Sequence, residues 1–161
     1  MTSSNSRSDS LIRRLERDYP AIKFKPGQQD HWSPSSKTVF YNSSKPFEEL
    51  SCSLLHELSH ALLAHQDYRS DFELLRLESE AWAKAAELGP KYGVDIEDEH
   101  IQNCLDTYRD WLHRRSTCPS CGMHVVQKDG SSYKCFNCST EWSVTAQRFV
   151  RAYRKTFKKF I

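Results

Sequence analysis

The apolar residues of this chain recur with different periods, and the period of each stretch predicts its element. Leu11, Ile12 and Leu15 sit at helical spacing within DSLIRRLERDYP, with Asp9 or Ser10 placed to cap a short helix and Pro20 beyond its end. The residues before it, 1–10, are Ser-rich and polar and predict a disordered start. Residues 22–25 and the run Thr38-Val39-Phe40-Tyr41 read as strands of a small sheet, separated by a loop rich in Pro, Gly and Ser. Ser43 or Ser44 can cap a helix that begins near Pro46 and reaches about His65. A second helix is expected from about Asp71 to Leu88, ended by Gly89-Pro90. A third, from about Ile96 to Arg114, carries Ile101, Cys104, Leu105, Tyr108, Trp111 and Leu112 as a core-facing stripe. Residues 144–161 return to helical periodicity and predict an amphipathic helix, with Phe149, Val150, Tyr153, Phe157 and Ile161 on its apolar face.

A length of 161 residues holds one modest core and a small appended module, which excludes a large multidomain enzyme. No apolar run approaches the roughly eighteen residues of a membrane helix. The N-terminus lacks the apolar stretch of a secretory signal, so a cytoplasmic location is expected. Charge is unevenly spread: residues 1–50 carry a net +2, residues 51–110 a net −8 and residues 111–161 a net +8. An acidic middle and a basic end suggest two units with different jobs.

His56-Glu57-Leu58-Ser59-His60 is an H-E-x-x-H sequence. On a helix it sets two imidazoles one turn apart, where both can reach one metal, with Glu57 beside them as a general base for water. The flanks, LSCSLLHELSHALLAH, carry no other charge, so the motif lies in a helix built for burial. An unpaired carboxylate there is costly, and a metal removes that cost. A catalytic zinc usually takes three protein ligands and keeps one position open. His65, five residues after His60 on a continuous helix, is expected to point toward Leu54, Leu58 and Ala61 and reads as a packed or helix-end histidine. In the second helix the apolar stripe Leu74, Leu77, Ala81, Ala85 and Leu88 contains Glu78, whereas Glu80 falls among Glu73, Arg76, Lys84 and Glu87. A carboxylate inside a core stripe needs a partner, which makes Glu78 the expected third ligand and Glu80 the alternative.

The pairing of HELSHALLAH with ESEAWAKAAELGP resembles the ImmA/IrrE-type metallopeptidases, whose histidine motif is followed by a helix of pattern E-x-x-A-x-x-F-A leading to a proline. Here that helix reads Glu78-x-x-Ala81-x-x-Lys84-Ala85, with Lys84 in place of Phe, and Pro90 follows. The resemblance covers about residues 36–90. It implies a zinc metalloendopeptidase with His56, His60 and Glu78 as ligands, Glu57 as catalytic acid/base, and a protein substrate of the DNA-binding repressor type. An extended peptide could lie along the edge of the strand Thr38–Tyr41, and Tyr41, Tyr68 or a backbone N–H could hold the oxyanion.

Cys118-Pro-Ser-Cys121 and Cys135-Phe-Asn-Cys138 are two Cys-x-x-Cys knuckles flanking a hairpin, the spacing of a closed structural zinc site. Cys52 and Cys104 read as buried thiols. The expected architecture is α+β: a minimal zincin-like domain over residues 11–115, a four-cysteine zinc ribbon over 116–143, and a basic helix over 144–161. Two zinc ions are expected, one catalytic and one structural. Arg148, Arg151, Arg154, Lys155, Lys158 and Lys159 are candidates for touching DNA, RNA or a partner, against the plainer reading that the helix packs its aromatic face. Two other functions compete. A SprT-like protease joins the same motif to a ribbon but uses a third histidine downstream, and none lies between His65 and His100. A non-catalytic adaptor would use the histidine helix only to hold a structural metal.

Overall fold

Leu11 and Leu15 are buried on one face of a helix that starts earlier than the sequence predicts. The computed structural model describes residues 3–145 and 154–156, and in it α1 spans Ser3–Asp18, taking in most of the stretch expected to be disordered. Tertiary contact accounts for the difference: the Arg7 guanidinium lies 4.0 Å over the Phe47 ring and 3.4 Å from Glu48, holding the early turns on the next helix.

Three short strands follow: β1 (Lys23–Pro26), β2 (His31–Ser33) and β3 (Thr38–Tyr41). They form a sheet of order β1-β3-β2, with β1 parallel and β2 antiparallel to β3. Hydrophobic period did not reveal β2, which is a three-residue edge inside a polar loop. Its presence overturns the expectation that a peptide could add along Thr38–Tyr41, because β3 is central and paired on both sides. The edges are β1 and β2.

Helix α2 (Phe47–Leu62) buries Leu50, Leu54, Leu55 and Leu58. It ends before His65, since Ala64 takes a left-handed conformation at φ 54°. The N–H of Ala64 returns to the Ala61 carbonyl and that of His65 to the His60 carbonyl, the paired bonds of a Schellman cap. Helix α3 (Asp71–Tyr92) runs through Gly89-Pro90 and does not stop there. Proline in the last turn forfeits a single backbone bond, and the stop comes at Gly93, φ 70°, with Gly93 N–H to Pro90 and Val94 N–H to Gly89. Gly89 is needed for a different reason: a Cβ there would sit 2.4 Å from the Val94 carbonyl oxygen. The Arg14 guanidinium donates to the carbonyl of Lys91 at 2.8 Å, tying α1 to this end of α3. Helix α4 spans Asp98–Ser116 and buries Leu105 and Trp111.

The chain divides into two compact units, Met1–Asp67 with Leu77–Ile101, and Tyr68–Arg76 with Gln102–Ile161. The second unit therefore joins the cysteine hairpin to the first turns of α3 and most of α4, which the sequence assigned to the preceding domain. Its sheet is β4 (Gln127–Asp129), β5 (Ser132–Lys134), β6 (Glu141–Val144) and β7 (Arg154–Thr156), antiparallel in that order. Residues 154–156 are thus a strand and not part of the expected helix: β6 offers an open edge, and pairing Val144 with Arg154 and Trp142 with Thr156 covers it. The rest of that expected helix after residue 145 lies outside the described residues. Cys118, Val125, Tyr133, Cys135, Trp142 and Val144 form a buried cluster in this unit, with Tyr133 stacked on Trp142 at 5.4 Å. Among the described residues no helix is long and apolar enough to cross a membrane.

Candidate active site

His56 and His60 lie one turn apart on α2, and both rings turn their Nε2 atoms toward Glu78 on α3. His56 Nε2 is 3.1 Å from Glu78 Oε2, His60 Nε2 is 3.6 Å from Glu78 Oε1, and the two Nε2 atoms are 3.1 Å apart. Metal–nitrogen and metal–oxygen bonds of about 2.0–2.1 Å place the corners of a tetrahedron roughly 3.3 Å apart, so three donors at these separations match a zinc-sized ion. The chemistry agrees with the size. Two imidazole nitrogens facing each other beside a carboxylate are a set of lone pairs that a cation satisfies.

Burial pushes the Glu78 carboxyl up, but hydrogen bonds and charge from His56 and His60 outweigh it and hold the group down at about 2. Glu78 is 7% exposed and occupies the buried stripe of α3 with Ala81, Trp82, Ala85 and Gly89. Glu80 does not join the three donors: its carboxylate lies 3.3 Å from His65 Nε2.

Glu57 is half-buried beside the cluster, and its pKa is raised. Burial is the main cause, opposed by His56 and His60, reinforced by Glu78 and opposed again by the Trp32 backbone N–H, which donates to the carboxylate. The Trp32 indole N–H also donates to the His65 carbonyl at 3.3 Å, so β2 is bound to both sides of the motif. His65 is buried and lies beyond the end of α2, not on the continuous helix that the sequence predicts. The left-handed turn at Ala64 brings its ring to His60, with the two Nδ1 atoms 2.9 Å apart. Burial and the charge of His60 lower its pKa.

Trp32 and Trp82 are the site residues that the sequence reading missed. The Trp82 ring stacks on His56 at 4.1 Å and meets His100 edge-on at 5.3 Å. The sequence signal for Trp82 is its place four residues after Glu78, on the same face of a helix. Trp32 carries none, because β2 was not foreseen.

The second donor set lies in the other unit. Cys118 Sγ is 3.6 Å from Cys138 Sγ and Cys121 Sγ is 3.5 Å from Cys135 Sγ, and all four sulfurs lie within 4.8 Å of one another. Those separations are too long for disulfides and close to the roughly 3.8 Å between thiolates on one zinc. The two knuckles share one backbone plan: Gly122 N–H returns to Cys118 and Ser139 N–H to Cys135, both residues at positive φ. Thr140 beside Cys138 lowers that thiol to about 6, favouring thiolate. Cys52 is buried and Cys104 half-buried. Of the basic tail residues, Arg154 and Lys155 fall on β7, while Arg148, Arg151, Lys158 and Lys159 lie outside the described residues.

Comparison with known families adds one finding. Residues 19–91 match the family model described as the IrrE N-terminal-like domain, a peptidase family. The match takes in the sheet, α2 and nearly all of α3, and supports the ImmA/IrrE family and a metallopeptidase-type function acting on protein. That family is generally zinc-dependent, and both donor sets are compatible with zinc. No curated protein and no solved structure matches the chain.

Proposed function

We propose that this chain is a zinc-dependent metalloendopeptidase that cleaves a DNA-binding regulator of the repressor type. His56, His60 and Glu78 would hold the catalytic zinc, and the four cysteines a structural one. The observation that carries the reading is the convergence of three donor atoms with Glu57 alongside. What zinc supplies in such a set is Lewis-acid chemistry, polarising a carbonyl and acidifying water.

The chain's own groups do the rest. Glu57 takes a proton from the attacking water and hands it to the leaving amine nitrogen. Its burial raises its pKa toward the working pH, which suits both halves of that task, and the Trp32 N–H fixes where the carboxylate points. An extended substrate lies along the open edge of β2, the strand that carries Trp32. Glu78 meets the need for a third donor without a downstream histidine, which favours this reading over the SprT-like one. Glu57→Gln tests it: the variant is expected to keep both zinc ions and lose peptide hydrolysis by about 10²–10⁴-fold. Hydrolysis at the unsubstituted rate would remove Glu57 from the mechanism.

A further inference from the structure

We infer that His65 and Glu80 are positioning residues, a hydrogen-bonded chain that holds His60 in the tautomer whose Nε2 lone pair faces His56 and Glu78. The inference rests on the metallopeptidase reading only in taking a metal to bind at those donors.

The proton count fixes the direction of the chain. A neutral imidazole has one N–H and one lone pair, and a metal takes the lone pair. With Nε2 of His60 turned to the donor cluster, the ring's proton sits on Nδ1, 2.9 Å from His65 Nδ1. Two nitrogens at that distance share one proton, so His65 accepts there and carries its own proton on Nε2. That Nε2 is 3.3 Å from Glu80 Oε2, a carboxylate able to receive it. Glu78 therefore reaches His60 directly, and Glu80 reaches it through an intervening ring.

The placement of His65 is itself fixed. Its N–H bonds the His60 carbonyl at 3.0 Å, its carbonyl accepts from Trp32, and Ala64 holds a conformation that alanine rarely adopts. His56 is held differently. Its Nδ1 is buried with no hydrogen-bond partner among the described residues, and its ring is set by stacking on Trp82. A carboxylate or carbonyl behind a metal-bound histidine commonly raises metal affinity by orienting the ring. Here an extra imidazole is interposed.

The test is zinc binding by the full chain, titrated against a competing chelator. His65→Leu is expected to weaken the zinc at His56, His60 and Glu78 by about 10–100-fold and leave the cysteine-bound zinc unchanged. His65→Gln, whose amide oxygen can accept the His60 proton, should recover most of that loss. Glu80→Ala alters a side chain that is 44% exposed, so it spares the fold, and it should weaken the same zinc by about tenfold. Imidazole NMR of the zinc-loaded protein should show a protected His60 Nδ1–H that His65→Leu removes. Unchanged zinc affinity in both His65→Leu and Glu80→Ala overturns the inference, as does an equal loss in His65→Leu and His65→Gln. If His65→Leu does not fold, Glu80→Ala decides alone. If the unsubstituted chain binds only the cysteine zinc, the metallopeptidase reading itself fails, a result distinct from the others.

Discussion

Glu78 and Glu80 differ by two positions on one helix, and burial separates their chemistry. Glu78 sits inside the packed stripe of α3, where a carboxylate is tolerated only with partners, and it has two imidazoles. Glu80 stands nearer the surface and binds the outer nitrogen of His65. The two acids should respond differently to removal. At saturating zinc, Glu78→Ala is expected to reduce the metal content from two ions per chain to one, because two histidines alone leave the ion short of a protein ligand. Glu80→Ala should still bind two ions under the same conditions. Metal analysis of the variants equilibrated with saturating zinc, corrected for the free ion, decides this, and equal loss in both would return Glu80 to the ligand set.

At the level of elements, the C-terminal turn of α3 sets a tight geometric condition. Glu78, Trp82 and Gly89 share a buried face, and at Gly89 the chain returns so closely that the Val94 carbonyl occupies the place of a side chain. Gly89→Ala forces backbone against a methyl group and is expected to cost about 1–3 kcal/mol. The measure is a lower urea midpoint with an unchanged slope. Sequence took Gly89-Pro90 for a helix end because both residues usually mark one, and in this chain the end is Gly93. The long periodic helices α2, α3 and α4 were legible, as were the histidine motif and Glu78 within its stripe, since each is a local pattern. Strand β2 was not, because three residues carry no period, and its role depends on pairing with β3. Nor was the burial of Asp71 and Arg115. Asp71 reads as a helix start and Arg115 as a basic last turn, yet they meet at 3.3 Å, each nearly solvent-free, and Tyr133 O–H donates to the same carboxylate. Pairs distant in sequence and made of charged residues leave no hydrophobic signature to read.

Across the whole molecule, the two donor sets belong to different compact units, and their ligand chemistry differs: imidazole and carboxylate in one, thiolate in the other. Among the described residues, the core cluster around the cysteine hairpin has six buried members, two of which, Cys118 and Cys135, are themselves donors. A core of that size supplies little hydrophobic free energy, so metal binding and folding should be coupled there. The first unit packs leucines of α1 and α2 against its sheet and does not depend on its donor atoms for a core. Cys135→Ser should therefore remove one zinc ion and, with it, the near-ultraviolet circular dichroism from the stacked Tyr133 and Trp142, while the other ion stays. Adding His56→Ala to that variant should remove the second ion. If Cys135→Ser alone released both, the histidine set would depend on the cysteine unit, and the separation of a catalytic from a structural zinc would have to be abandoned.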